Sequence, residues 1–202
     1  MTLLAPAVWA QQWDAGGFGG FGFTPTATAK GPDGSASTGL KNGAFFGAFG
    51  GADDYARLGG EASYIYRYSD LKVSSGGQEV TFAGHTQFLD FRMLGYLTPR
   101  ESKLRPFLAV GGGVGIYSGT GAPNAAQPLN NFVALTNTRE TKPMVSGGVG
   151  LKYRLSPHLS LRFEVRDLAT PFPNRLIGPA PGVSISGWMN NIMASAGIGG
   201  VF

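Results

Sequence analysis

The chain has no cysteine, two histidines in 202 residues, and no apolar run near the ~18 residues that a membrane-spanning helix needs. Without cysteine, no disulfide can staple the fold. With two histidines, no metal site of His/Cys spacing is visible, and no metal or other cofactor is expected. The missing apolar run excludes a transmembrane helix. Charge is also scarce, at 14% of residues, and the 16 basic side chains are mostly scattered singly. The net charge of +4 therefore builds no nucleic-acid footprint, and no nucleic-acid partner is expected.

Glycine and aromatic residues are abundant: 33 Gly, and 12% Phe, Trp and Tyr. The glycines sit inside apolar stretches, where each would cost a helix about 1 kcal/mol relative to Ala. Long helices are therefore not expected. The pattern that does recur is period-2 alternation, the signature of a strand with one apolar face.

In residues 12–23, Trp13, Ala15, Phe21 and Phe23 share a face opposite Asp14. Residues 24–39 carry Pro25, Pro32, Asp33 and several Gly, and read as a long loop. Residues 40–51 form a second segment whose faces stay open, with Phe45 and Phe49 pointing one way and Phe46 the other. Residues 58–69 alternate clearly, setting Leu58, Ala62, Tyr64, Tyr66 and Tyr68 against Glu61, Ser63, Ile65 and Arg67. A loop around Ser74-Ser75-Gly76-Gly77 leads to residues 80–97, with Leu89, Phe91, Met93 and Leu97 opposite Asp90, Arg92 and Tyr96.

After the charged turn 98–103, residues 106–118 place Leu108, Val110, Val114 and Ile116 on one face. A long polar stretch, 119–140, precedes residues 143–155, where Val145, Val149, Leu151, Tyr153 and Leu155 oppose Ser146, Lys152 and Arg154. Beyond Ser156-Pro157-His158, the next strand sets Leu159, Leu161, Phe163 and Val165 against Ser160, Arg162, Glu164 and Arg166. A Pro/Gly loop, 170–182, precedes the last strand, 183–202.

This pattern predicts an all-β chain: an eight-stranded antiparallel up-and-down barrel with long connections at one end and short ones at the other. Such segments reach the ~9–11 residues that a tilted strand needs to cross a bilayer. The alternation fits an apolar exterior around a polar lumen. A soluble lipocalin-like barrel would alternate the other way, with its charges outside. Three features favour the membrane reading. Tyr66, Tyr68, Tyr153 and Phe202 lie toward segment ends, as interfacial aromatics do. The charged face is rich in Gly, Ser and Ala, which a crowded small lumen needs. The uncharged residues 1–10, ending Val8-Trp9-Ala10, read as the remnant of a secretory signal, so the mature barrel would span 11–202.

The predicted lumen charge network is Glu61, Arg67, Asp90, Arg92, Lys152, Arg154, Arg162, Glu164 and Arg166. Six bases against three acids leave a surplus of three positive charges, within a polar plug that argues against a wide pore.

The final strand places Ile192, Ala194, Ala196, Ile198 and Gly200 on the face of Phe202, the last residue. Together with Leu104-Arg105-Pro106-Phe107, Gly147-Gly148-Val149-Gly150-Leu151-Lys152-Tyr153 and the strand 159–167, it resembles the small bacterial outer-membrane β-barrels of the OmpA-like and OmpX-like kind. The resemblance implies residence in the outer membrane of a Gram-negative-type bacterium and contact with outer-membrane lipid. It also implies Phe202 as the assembly signal read by the barrel-assembly machinery. A monomer is expected, with no peptidoglycan-binding domain after the barrel.

Family members range from anchors and adhesins to small-solute channels and a few enzymes. The deacylase pattern among lipid A-modifying barrels is approached by His158-Leu159-Ser160 with Glu164. However, residue 161 is Leu where that pattern has Asn, and His158 falls on the periplasmic side. His85, beside Thr86, has no nameable acid-base partner. Gly111-Gly112-Gly113-Val114-Gly115 lacks the Lys-Ser/Thr ending of a phosphate loop and leads to no helix. No catalytic or cofactor-binding residue is therefore assigned. The expected function is non-enzymatic, carried by the loops 24–39, 119–140 and 170–182 in surface contact or envelope integrity. The alternatives are a narrow, weakly anion-preferring solute channel and a lipid A-modifying enzyme.

Overall fold

Backbone amides in lipid must find partners within the protein, and strands achieve this only when the sheet closes on itself. The computed structural model describes residues 12–32, 34–53, 57–122 and 127–202, and every regular element among them is a β-strand. The expected signal remnant, residues 1–10, lies outside the described residues. In chain order the strands are β1 (Gln12–Phe23), β2 (Ala27–Gly31), β3 (Gly34–Leu40), β4 (Gly43–Asp53), β5 (Leu58–Tyr68), β6 (Leu71–Ser75) and β7 (Gln78–Phe82). There follow β8 (Gly84–Tyr96), β9 (Leu104–Gly119), β10 (Val133–Leu135), β11 (Arg139–Ser156), β12 (Leu159–Pro171), β13 (Ile177–Pro179) and β14 (Trp188–Val201).

Eight of these close into an antiparallel barrel in the order β1-β14-β12-β11-β9-β8-β5-β4. The seam between first and last strands runs from Asp14↔Val201 to Phe23↔Ile192. Trp13 and Phe202 extend it by exchanging two backbone hydrogen bonds, of 3.2 and 2.9 Å. No edge of the barrel sheet is left open to lipid.

The two faces of this wall differ as a membrane barrel requires. Phe91 and Val110 are 62% and 65% exposed on the outside, whereas Arg67 and Glu164 are 0% and 4% exposed within. Charges on the barrel strands point inward except Arg139 and Asp167, both toward the end that bears the long connections. Asp167 Oδ2 accepts a 2.8 Å bond from Asn190 Nδ2.

One point left open by the sequence is decided, and two sequence expectations need correction. The second segment is β4, and its register against β1 and β5 turns Phe45 and Phe49 into the lumen and Phe46 outward. The fourth segment is two elements, β7 and the barrel strand β8, split at Ala83. The long connections are also not plain loops. The first two excursions build a four-stranded sheet, β2-β3-β6-β7, and the last two contribute the pair β10-β13. A Lys30↔Ser184 bridge ties the two groups. The cap shares one apolar core with the upper lumen, running from Leu40, Leu71, Phe172 and Ile177 down to Phe88, Tyr117, Leu168 and Met193.

Close strand approach depends on glycine at particular points. A Cβ on Gly113 would stand 1.9 Å from the Leu89 carbonyl oxygen, whereas one on Gly50, on the outer face, would meet nothing within 4 Å. Gly113→Ala should therefore cost about 1–3 kcal/mol, as overpacked sites do. Gly50→Ala should leave stability unchanged. Urea unfolding of the refolded barrel, read by heat-modifiable gel migration, distinguishes the two.

Candidate functional site

An eight-stranded barrel has a lumen that side chains can fill, so what fills it decides what passes. Here the filling is layered. At mid-depth β5, β8 and β12 bring Glu61, Asp90 and Glu164 together with Arg92, Arg162 and Arg166, three acids against three bases. Glu164 accepts from all three arginines: Arg92 Nη1, Arg162 Nε at 3.1 Å and Arg166 Nη2 at 2.9 Å. Glu61 accepts from Arg92 Nη2 at 2.5 Å and from Arg162 Nη1. Asp90 accepts from the Ser146 hydroxyl at 2.6 Å and lies 3.3 Å from Arg92 Nε.

β5 and β12 are four places apart in the ring of eight, so the Glu61–Arg162 pair joins opposite walls. A lattice of this kind spans the lumen.

Sequence reasoning read the interior as a polar plug; the structure differs in its aromatic content. Arg162 lies over the rings of Phe49 and Phe107, at 5.1 and 4.7 Å, and Arg166 lies 4.9 Å from the Phe18 ring centre. These faces attract the guanidinium planes and exclude water from the pairs. Glycine makes the space: a Cβ on Gly47 would come within 2.6 Å of the Phe18 ring.

The remaining charges of the predicted network lie apart from this lattice. Arg67, fully buried under the cap, has neutral acceptors: Thr24 Oγ1 at 2.8 Å, Asn191 Oδ1 at 2.9 Å, and the carbonyls of Gly22 and Lys41 at 3.0 and 3.2 Å. It thereby pins both ends of the first extracellular excursion to β5. Lys152 pairs with Asp14 near the opposite mouth. Arg154 is half-buried at that mouth, where its Nη2 donates to the Arg100 carbonyl.

The sequence reading missed five inward-facing charges, Asp14, Asp53, Arg105, Glu140 and Lys142; Arg105 Nη1 donates to Asp53 Oδ2 at 2.6 Å, and Lys142 pairs with Glu140 at 2.8 Å. Adding them changes six bases against three acids into eight against six, so the surplus falls from three to two. Asp14 was on the inner face by alternation. Asp53 and Arg105 could have been found by extending the β4 and β9 alternation by two residues and one residue respectively.

The two histidines sit outside this lattice. His85 lies on the outer side of the wall, stacked 5.2 Å from Tyr66. His158 is on the short turn between β11 and β12, its Nδ1 3.3 Å from the Val201 carbonyl oxygen, and Ser160 is buried in the lumen. Among the described residues, no cluster of His, Cys, Asp and Glu could hold a metal ion.

A closed barrel with an apolar exterior, an ion-paired lumen and one structured end agrees with the sequence model for the outer membrane protein beta-barrel domain, which matches residues 1–177. The chain belongs to this outer-membrane β-barrel family. Its place is the outer membrane. The structure carries the barrel on through β14, beyond the matched residues.

Among solved barrels, OprG from Pseudomonas aeruginosa is similar with a TM-score of 0.60 at 14% identity, over 96% of each chain. Neisserial surface protein A is similar at 0.56 and 12%, over 94% of this chain and 96% of that one. The Escherichia coli outer membrane protease OmpT is similar at 0.50 and 12%, over 95% and 97%. These likenesses show the fold. No curated protein matches the chain by sequence.

The lattice makes a graded prediction for the family barrel. Glu164→Gln leaves three buried arginines short of a countercharge and should cost about 3–5 kcal/mol, as breaking a buried pair does. Arg154→Gln removes a half-buried group bonded to a carbonyl and should cost less than about 1 kcal/mol. Equilibrium urea unfolding in lipid vesicles measures both.

Proposed function

We propose that this protein is a non-conducting, non-enzymatic outer-membrane barrel whose folded extracellular cap makes contact at the cell surface. One observation carries the reading: the Glu61–Arg162 pair crosses the lumen beneath a cap whose apolar core continues into the barrel. Solute following the barrel axis would have to unpack the core and then separate buried ion pairs, each step costing several kcal/mol.

The cap's turn between β6 and β7, Gly76-Gly77, is flanked by Ser74, Ser75, Gln78 and Glu79. Its chemistry suits hydrogen bonding more than charge attraction. Among the described residues, His85 stacks on Tyr66 and the His158 ring lies against the Val201 carbonyl, and neither contact is with a carboxylate. As the family reading implies, the periplasmic turn of His158 is also on the wrong side for outer-leaflet lipid A.

Planar bilayers holding the purified protein should show no reproducible unitary conductance. Steps that shift when Arg67, Arg92 or Arg162 is neutralised would overturn the proposal in favour of a channel. Lipid A from overexpressing cells should keep its unmodified mass.

Because Arg67 anchors the first excursion, a second outcome concerns the cap. In whole cells Lys30 and Lys72 should resist trypsin in the native protein. Arg67→Met should make them cleavable while heat-modifiable migration persists. Rapid cleavage of the native protein at both lysines would mean that the cap is not a folded platform.

A further inference from the structure

The outer wall of a membrane barrel is apolar, so a continuous row of polar side chains on it calls for a physical reason. At the cap end such a row crosses four adjacent strands. Tyr68 of β5 pairs with His85 of β8, His85 with Ser118 of β9, and Ser118 with Arg139 of β11. Each residue is the first, second, penultimate or last of its strand. Further down the same outer faces come Leu89 and Val145, both exposed. The row therefore stands where the apolar band ends, at the level of the lipid headgroups.

Arg139 is exposed, and its guanidinium makes no hydrogen bond or ion pair among the described residues. The neighbouring carboxylate, Glu140, is turned inward and engaged by Lys142 at 2.8 Å. Arg175, also exposed, is held beside this strand start, because its carbonyl accepts from the Thr138 hydroxyl at 3.3 Å. His85 is half-exposed, and its ring stacks on Tyr66, which stacks in turn on Phe46, 5.5 Å away. Asp70, on the turn after β5, accepts from the Gly84 amide at 3.3 Å. Two arginines against this one carboxylate leave the rim positive. At the same end, β1, β4 and β14 instead present Phe21, Phe23, Phe46 and Trp188 to the outside.

We infer that the His85–Arg139 rim is a binding site for the phosphate of an outer-leaflet lipid headgroup. Neighbouring strands lie about 4.8 Å apart, so the His85 and Arg139 backbones are separated by about 10 Å. An extended arginine and an imidazole can close that gap on one phosphate, with the arginine supplying a charge-assisted, two-pronged contact. The rim opens sideways onto the bilayer, directly above exposed apolar wall. A phosphate carried by a lipid therefore lays its acyl chains against Leu89 and Val145, a gain that a free anion does not have. The site lies outside the lumen and is independent of conduction and of what the cap contacts.

The test is an amide NMR titration of the labelled, refolded protein in maltoside micelles. Dioleoyl phosphatidic acid, dioleoyl phosphatidylcholine and inorganic phosphate are added separately at constant ionic strength. Phosphatidic acid should give saturable shifts centred on His85, Ser118 and Arg139. Phosphatidylcholine, with the same chains but a choline on its phosphate, should bind about tenfold more weakly, and inorganic phosphate should not saturate.

Arg139→Gln should weaken phosphatidic acid binding about tenfold, and His85→Gln about threefold. Both side chains lie on the outer wall, so heat-modifiable migration should persist in each variant. Lys103→Gln, on the exposed turn at the opposite mouth, should change nothing. Equal saturation by the two lipids would overturn the site, as would binding unchanged in both rim variants or lowered as much by Lys103→Gln. Saturation of the same amides by inorganic phosphate would overturn the assignment to a lipid.

Discussion

Three arginines meet one carboxylate at Glu164, and the rest of the barrel is arranged so that this meeting stays dry and balanced. Hydrocarbon outside forbids the charges that face; an arginine turned outward at mid-bilayer would cost about 2–4 kcal/mol. Eight strands enclose a lumen too narrow for each charge to keep a hydration shell. Pairing across the lumen is the solution that remains, and arginine suits it because one planar group can serve two carboxylates at once. Arg92 does this, donating to Glu61 from one side of the ring and to Glu164 from the other.

The aromatic residues within the lumen follow from the same demand. A guanidinium bonded through its edges still has two bare faces, and the rings of Phe18, Phe49 and Phe107 cover them. Those rings fit because glycines stand opposite, as Gly47 does for Phe18. The glycine content noted in the sequence thus has a double use. It thins the wall where rings intrude, and it lets neighbouring strands approach where Gly113 passes the Leu89 carbonyl.

Much of this was legible in the sequence, and the limits of legibility are physical. Alternation in residues 58–69 and 159–166 placed Glu61, Arg67, Arg162 and Glu164 on one face, because there the opposite face is unambiguously apolar. It left the faces of β4 open, where Phe45 and Phe46 are adjacent and so face opposite ways, and where the surrounding Gly and Ala suit either side of the wall. It also could not pair the charges. Asp14 and Lys152 lie on strands three places apart in the ring, and only closure brings them together. The cap strands escaped because Pro25, Pro32 and the paired glycines dominate those stretches, and because their apolar residues serve a core that the barrel's own periodicity does not describe. Arg67 was read as one more member of the charge network. Its neutral partners, Thr24, Asn191 and two carbonyls, come from segments whose approach no local pattern encodes.

The two mouths of the barrel are closed by opposite chemistries, and this asymmetry bears on function. At the cell surface, an apolar core continuous with the lumen joins cap and barrel, so the cap's conformation is tied to the wall in a way that unstructured loops would not be. At the other mouth, closure rests on a turn held by Arg100, Gln12 and Arg154, a polar arrangement that water and ions can compete with. A solute approaching from outside meets packed hydrocarbon side chains; one approaching from the periplasm meets exchangeable hydrogen bonds. The cap is thus packed onto the barrel through apolar side chains, whereas the opposite mouth is closed by polar contacts.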